Sequence, residues 1–252
     1  MANGFDPRVT ASARPTTVGR EGAVYDAGLR SYMLSVYNYM TSGVLLTGIV
    51  SLLFAWDTAP GPANNSYAAQ LFLNGGILAW VVVLAPLGLV FALSFGINRM
   101  STAAARAMFW VYSVLMGLSL SSVLLVYTGG SVAQTFFASA AAFASLSLWG
   151  YTTKRDLSAM GTFLIMGLFG LIIAMVINMF MRSSTLDLAI SAIGVLIFAG
   201  LTAYDTQKIK SIYFAVAGSE MVGKSIVMGA LTLYLDFINL FLFLLRFMGD
   251  RR

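Results

Sequence analysis

"GALTLYLDFINLFLFLLRFMG", residues 229–249, decides the fold. Between Gly229 and Arg246 its only formal charge is Asp236, set in Leu, Phe and Ile. At 1.5 Å per residue, the apolar run over residues 226–247 is long enough as a helix to cross the roughly 30 Å hydrocarbon core of a bilayer. Asp236 then lies about 15 Å from the start of that run, near mid-membrane. A charged Asp at a helix centre costs about 2.5–3.5 kcal/mol on insertion scales, so an acid kept there marks a functional position.

The rest of the chain has the same character. Of 252 residues 59% are hydrophobic and 10% charged, and the mean hydropathy is +0.84, whereas a soluble domain carries about a quarter charged residues. Six further apolar stretches, at 33–55, 77–97, 108–127, 131–150, 161–181 and 186–204, approach or exceed one membrane crossing. Backbone polar groups in lipid must be satisfied within the segment, and unbroken runs of this length do so as helices. The reading is an all-α, integral membrane bundle of seven helices over residues 31–252, preceded by a polar cytoplasmic tail at 1–30. That tail has no apolar run of the kind a cleaved signal peptide needs. Small-residue faces such as "SAAAFAS", residues 139–145, are expected to let the helices approach closely, with Trp56, Trp80 and Trp149 near the membrane interfaces.

Composition removes several chemistries. The chain has no Cys and no His, so disulfides, thiolate nucleophiles, thiolate metal sites and imidazole switches are excluded. Its net charge of +5 does not point to nucleic acid, because the basic residues lie in short connections between apolar runs. With the tail inside, eleven of the 15 Lys and Arg residues fall on the cytoplasmic side, and Arg182, Arg246, Arg251 and Arg252 fall outside. The bias places the N-terminus in the cytoplasm. Three of the four exceptions belong to the last helix and the residues after it, so a re-entrant last segment is the alternative to a seventh crossing, which is preferred on length.

A second acid, Asp205, stands in "TAYDTQKIK", residues 202–210, where the sixth apolar run gives way to polar residues. Read alone it is an interfacial acid. The midpoint between positions 205 and 236 falls inside "AVAGSEMVG", residues 215–223, the Gly-containing turn between the last two long helices. Residues equidistant from the turn of an antiparallel pair meet at one depth, so Asp205 faces Asp236 if the sixth long helix continues to about Tyr213. Two carboxylates in one low-dielectric site cannot both ionise cheaply, and a proton held between them belongs to the pair. Asn239, three residues from Asp236 on the same helical face, is a supporting candidate. Asn178 is expected to join helices and Arg246 to reach toward the interface. Arg99, at the end of the second long helix, is a candidate latch for one of the acids. Paired acids also serve hydrolases, but no glycine-rich sequence surrounds either Asp, and an enzyme is not expected.

"GLTAYDTQKIKSIY" together with the closing "GALTLYLDFINLFLFLLRFMG" resembles the C-terminal motif of the Bax inhibitor family, the transmembrane Bax inhibitor motif proteins, and the likeness extends from about residue 30 onward. The resemblance implies a seven-helix bundle with a central last helix enclosed by the other six, and a di-aspartyl pH sensor, here Asp205 and Asp236, controlling a calcium leak. It further implies that an Arg closing the second long helix, here best matched by Arg99, latches to the first acid. Eukaryotic relatives suppress cell death, and one bacterial branch modulates a membrane-bound ATP-dependent protease. The short loops and small tail are those of a bacterial inner-membrane member. Two function classes stand: a pH-sensitive calcium leak channel, and a protein-interaction modulator of a protease or stress suppressor without transport. No cofactor is expected; calcium would be cargo, and Asp205 and Asp236 are its candidate ligands.

Overall fold

The structure, a computed structural model, describes residues 17–56 and 66–252, with side chains described from residue 27. Residues 1–16 of the expected tail and residues 57–65 of the first connection lie outside it. The described residues form eight helices in order: α1 (Thr17–Phe54), α2 (Tyr67–Asn74), α3 (Ile77–Gly96), α4 (Thr102–Val126), α5 (Gly129–Thr152), α6 (Ser158–Met181), α7 (Ser184–Val216) and α8 (Val222–Met248). All but α2 are long and apolar enough to cross a membrane. The first helix starts at Thr17, inside the segment expected to be tail, although its apolar span is Ala27–Phe54.

Local signals explain the ends. Ser101, Thr128 and Ser183 accept hydrogen bonds from the backbone N–H groups of Ala104, Ser131 and Leu186 and so cap α4, α5 and α7. The short α2, absent from the sequence expectation, is capped by Ser66 accepting from Ala69 N–H at 3.1 Å, and it buries Ala68 and Ala69. Gly218 takes a left-handed φ of 78° in the α7–α8 turn, a conformation open to Gly at no steric cost. The α7 helix continues well past the apolar run that ends at Tyr204. The reason is periodicity: Ile209 is buried, and Tyr213 packs its ring 5.3 Å from that of Tyr32 on α1, so a helical stripe persists after mean hydropathy has fallen.

The last helix is the core. In α8, 67% of the most apolar stretch is buried, against 44% in α7 and 11% in α3. It packs on α7, α1, α5 and α4. The outer helices α3 and α6 lean chiefly on α4 and α7, so the ring around α8 is closer to four helices than six. Side chains such as Leu52, Phe163, Phe169, Phe180 and Leu196 point outward and exposed, and Trp56, Trp80 and Trp149 are exposed as well. A helix that is apolar on its outer face needs lipid as its solvent. Where α5 meets α7 the backbones touch: a Cβ on Gly150 would collide with the backbone of Ala203, the close approach that small residues allow between membrane helices.

Candidate functional site: the aspartate pair of the last hairpin

Rotation of α8 is set by Tyr234. Its hydroxyl bonds Thr47 Oγ1 on α1 at 2.6 Å, and Thr47 donates to the carbonyl of Ser113 on α4 at 2.8 Å. Its ring meets Tyr112 and Phe109 of α4 edge-on, at 5.3 and 6.2 Å. Two residues along a helix turn about 200°, so pinning Tyr234 against α1 and α4 sends Asp236 toward the opposite side, where α7 lies.

The α7 side is held as firmly. Thr206, next to Asp205, donates to Thr202 O at 2.8 Å and bonds Ser147 Oγ of α5 at 2.8 Å, and Ser147 in turn bonds the hydroxyl of Tyr37 on α1. Gln207 clasps the α5–α6 connection by accepting from Leu157 N–H and donating to Arg155 O. Lys210 donates to Tyr151 O at 2.9 Å. With both helices fixed in rotation, the carboxyl groups of Asp205 and Asp236 face one another. Both residues are buried, Asp205 at 9% and Asp236 at 4% exposure. Oδ2 of Asp236 is enclosed, and no N–H or hydroxyl among the described residues donates to it. A buried oxygen left so is costly, and a proton or a cation would satisfy it.

The pair opens onto a cavity of about 690 Å³ between α6, α7 and α8. On α8 the lining stripe runs Thr232, Asp236, Asn239, Phe243, Arg246, the three- and four-residue steps of one helical face. Asn239 therefore shares the cavity with the acids, its amide donating to Leu235 O at 2.8 Å. Arg99 does not: it sits exposed in the α3–α4 turn, outside the lining of this cavity and in no ion pair among the described residues. The cation nearest the acids in this cavity is Lys208, which forms no ion pair with them among the described residues but whose charge acts on both carboxylates through space. Its spacing made it findable, because three residues after Asp205 is the same face of α7.

Sequence reading also missed the partner of Arg246. Its guanidinium bonds the carboxylate of Asp187 in the first turn of α7, so the side chain reaches to the helix ends and is paired there. Symmetry about the hairpin turn pairs position 187 with one beyond Arg252, more than two helical turns from Arg246, so equal spacing about the turn does not find this contact. Asn178 does join helices, accepting from Ser183 N–H at 3.0 Å and donating to Asp187. A larger cavity of about 830 Å³ between α1 and α5 is mostly apolar and holds neither acid.

An α-helical bundle of seven membrane-spanning helices, with a carboxyl pair buried on its last hairpin, defines the class: a polytopic integral membrane protein. The family described as Inhibitor of apoptosis-promoting Bax1 matches residues 29–252, and the chain belongs to it. It is 46% identical over 237 residues to the uncharacterized protein RP147 of Rickettsia prowazekii, covering 94% of this chain and 96% of that one. It is 44% identical over 228 residues to the inner membrane protein YbhL of Escherichia coli K12, covering 90% and 94%. An uncharacterized protein of Caulobacter vibrioides is 43% identical over 243 residues, covering 95% and 96%.

Proposed function

We propose that the protein is a pH-sensitive leak for calcium or similar cations across a bacterial inner membrane, gated by Asp205 and Asp236. The observation that carries this reading is the facing carboxyl pair, with one oxygen to which no N–H or hydroxyl among the described residues donates, opening onto a cavity between α6, α7 and α8. With one proton shared, the pair holds α7 to α8. Without it, two negative charges face each other, and at 4 Å and moderate effective dielectric they repel by about 4 kcal/mol. About 5.5 kcal/mol carries a two-state element from 1:99 to 99:1, so repulsion supplies most of what a switch needs. Among the described residues, the other charged groups on this cavity are Lys208 and Arg246.

Two carboxylates and the Asn239 amide fall well short of the six to eight oxygens that calcium prefers. Such a site favours passage over storage, and calcium enters here as cargo. The end of the bundle with Arg30, Arg99, Lys154, Arg155, Lys208, Lys210 and Lys224 faces the cytoplasm in this reading, with the N-terminus. A reporter fused after Arg252 tests this orientation and is expected to be active only outside the cytoplasm.

Calcium flux into proteoliposomes at two pH values tests the reading. Flux that differs between them, and loses that difference in Asp205→Asn and Asp236→Asn, supports it. Absence of flux at both pH values overturns it and leaves the interaction reading, with a membrane-bound ATP-dependent protease as the partner to assay.

A further inference from the structure

Three cavities follow one another along α7, and one basic side chain is shared at each junction. Lys208 lines both the central cavity and a smaller one of about 320 Å³ at the lysine-rich end. Arg246 lines both the central cavity and a vestibule of about 570 Å³ at the opposite end, where Asp187, Asn178 and Arg182 sit. We propose that Arg246, held in place by Asp187, is a second gate in series with the aspartate pair, closing the central cavity toward the vestibule. For its consequence on flux this rests on the leak reading; the partition itself does not.

Asp187 is built to hold that guanidinium. It stands in the first turn of α7 and Arg246 in the last turn of α8, so both helix dipoles favour the charges they carry. Asn178 donates to the same carboxylate at 3.4 Å, and Arg251 Nη2 lies 3.8 Å from its other oxygen. The side chains are 32% and 25% exposed, between the weak surface pair and the costly buried one, which makes the bond breakable.

The backbone behind Arg246 is tied down. Asp250 N–H donates to Ser131 Oγ at 2.9 Å, Arg252 N–H donates to Val126 O at 2.9 Å, and Arg251 bridges to Tyr127. The chain after α8 is thereby fastened to the α4–α5 turn. Opening by a shift of the helix end would break all of these, whereas a swing of the Arg246 side chain breaks one ion pair. With Arg182, Arg246 and Arg251 around a single Asp187, the vestibule also repels an arriving cation until Arg246 turns away.

The natural absence of cysteine provides the test. Leu242→Cys lines the central cavity one turn before Arg246, and Thr185→Cys marks the vestibule side from an exposed position. A membrane-impermeant maleimide is added from the side that labels Thr185→Cys. The expected result is slow labelling of Leu242→Cys in the otherwise intact chain. Asp187→Asn or Arg246→Gln should accelerate it about tenfold, which corresponds to about 1.4 kcal/mol. Arg246→Lys, which keeps the charge, should preserve the shielding. Equal labelling with and without the ion pair, in variants that elute as the folded protein, overturns the gate. Flux measured on the same variants separates the two ideas. Accelerated labelling with no flux in any variant leaves the gate and sinks the leak, whereas pH-dependent flux with unchanged labelling sinks the gate alone.

Discussion

The two faces of α8 differ in what their polar groups are committed to. Toward α1 and α4, the Tyr234 hydroxyl, Thr47 and the Ser113 carbonyl bond one another inside a cluster of aromatic rings, and the one hydroxyl there without a partner among the described residues, that of Tyr112, is neutral. Toward α6 and α7, two carboxyl groups share a cavity, and no N–H or hydroxyl among the described residues donates to one of their oxygens. The first face fixes the helix in place and rotation. The second carries the two carboxyl groups, the titratable side chains of the hairpin's interior. In the proposed function, a helix anchored on one side and titratable on the other is what would turn a proton into movement between α7 and α8.

Removing one carboxylate strikes hardest at that difference. Asp205→Asn and Asp236→Asn are each expected to abolish the pH dependence of flux, with the double variant adding little because the two act as one unit. A wild-type pH profile in both single variants would erase the functional contrast between the faces.

Next in size is the scaffold that aims Asp205. Gly150→Ala forces a methyl into the Ala203 backbone and should destabilise the protein by about 1–3 kcal/mol, read by thermal unfolding in detergent. A neutral result would mean that α5 can step back without cost. On the anchored face, Thr47→Val should cost roughly 1 kcal/mol by stranding the Tyr234 hydroxyl. Tyr234→Phe should cost less, near the ~0.6 kcal/mol average for hydrogen bonds between membrane helices. Neither should flatten the pH profile, and a flattened one would mean that the anchor takes part in gating.

The mildest expected change sharpens the titratable face. Lys208→Gln removes the cation that interacts with both acids, so it should move the pH profile of flux along the axis while preserving its amplitude. Loss of amplitude would assign Lys208 to the gate itself.

Much of this architecture was legible in the chain. Seven long apolar runs in a composition of 10% charged residues leave lipid as the only compatible solvent, and backbone satisfaction in lipid leaves helices. Equal spacing of positions 205 and 236 about a Gly-containing turn was enough to bring Asp205 and Asp236 to one depth. Such inferences succeed because they depend on local periodicity and on distance along one hairpin.

What escaped involves side chains meeting across elements far apart in sequence. Arg99 closes a helix at the expected place yet stays away from the acids, because α3 packs chiefly on α4 and not on the α7–α8 hairpin. Arg246 pairs with Asp187, and α8 took its rotation from Thr47, 187 residues away in sequence from Tyr234. Sequence by itself determined the solvent, the helices and which two acids the last hairpin brings together, since these derive from hydropathy and from spacing along one hairpin. Only the tertiary structure decided which cation faces which carboxylate and where the cavities lie, since helix rotation and packing partner are set by contacts that no single segment encodes.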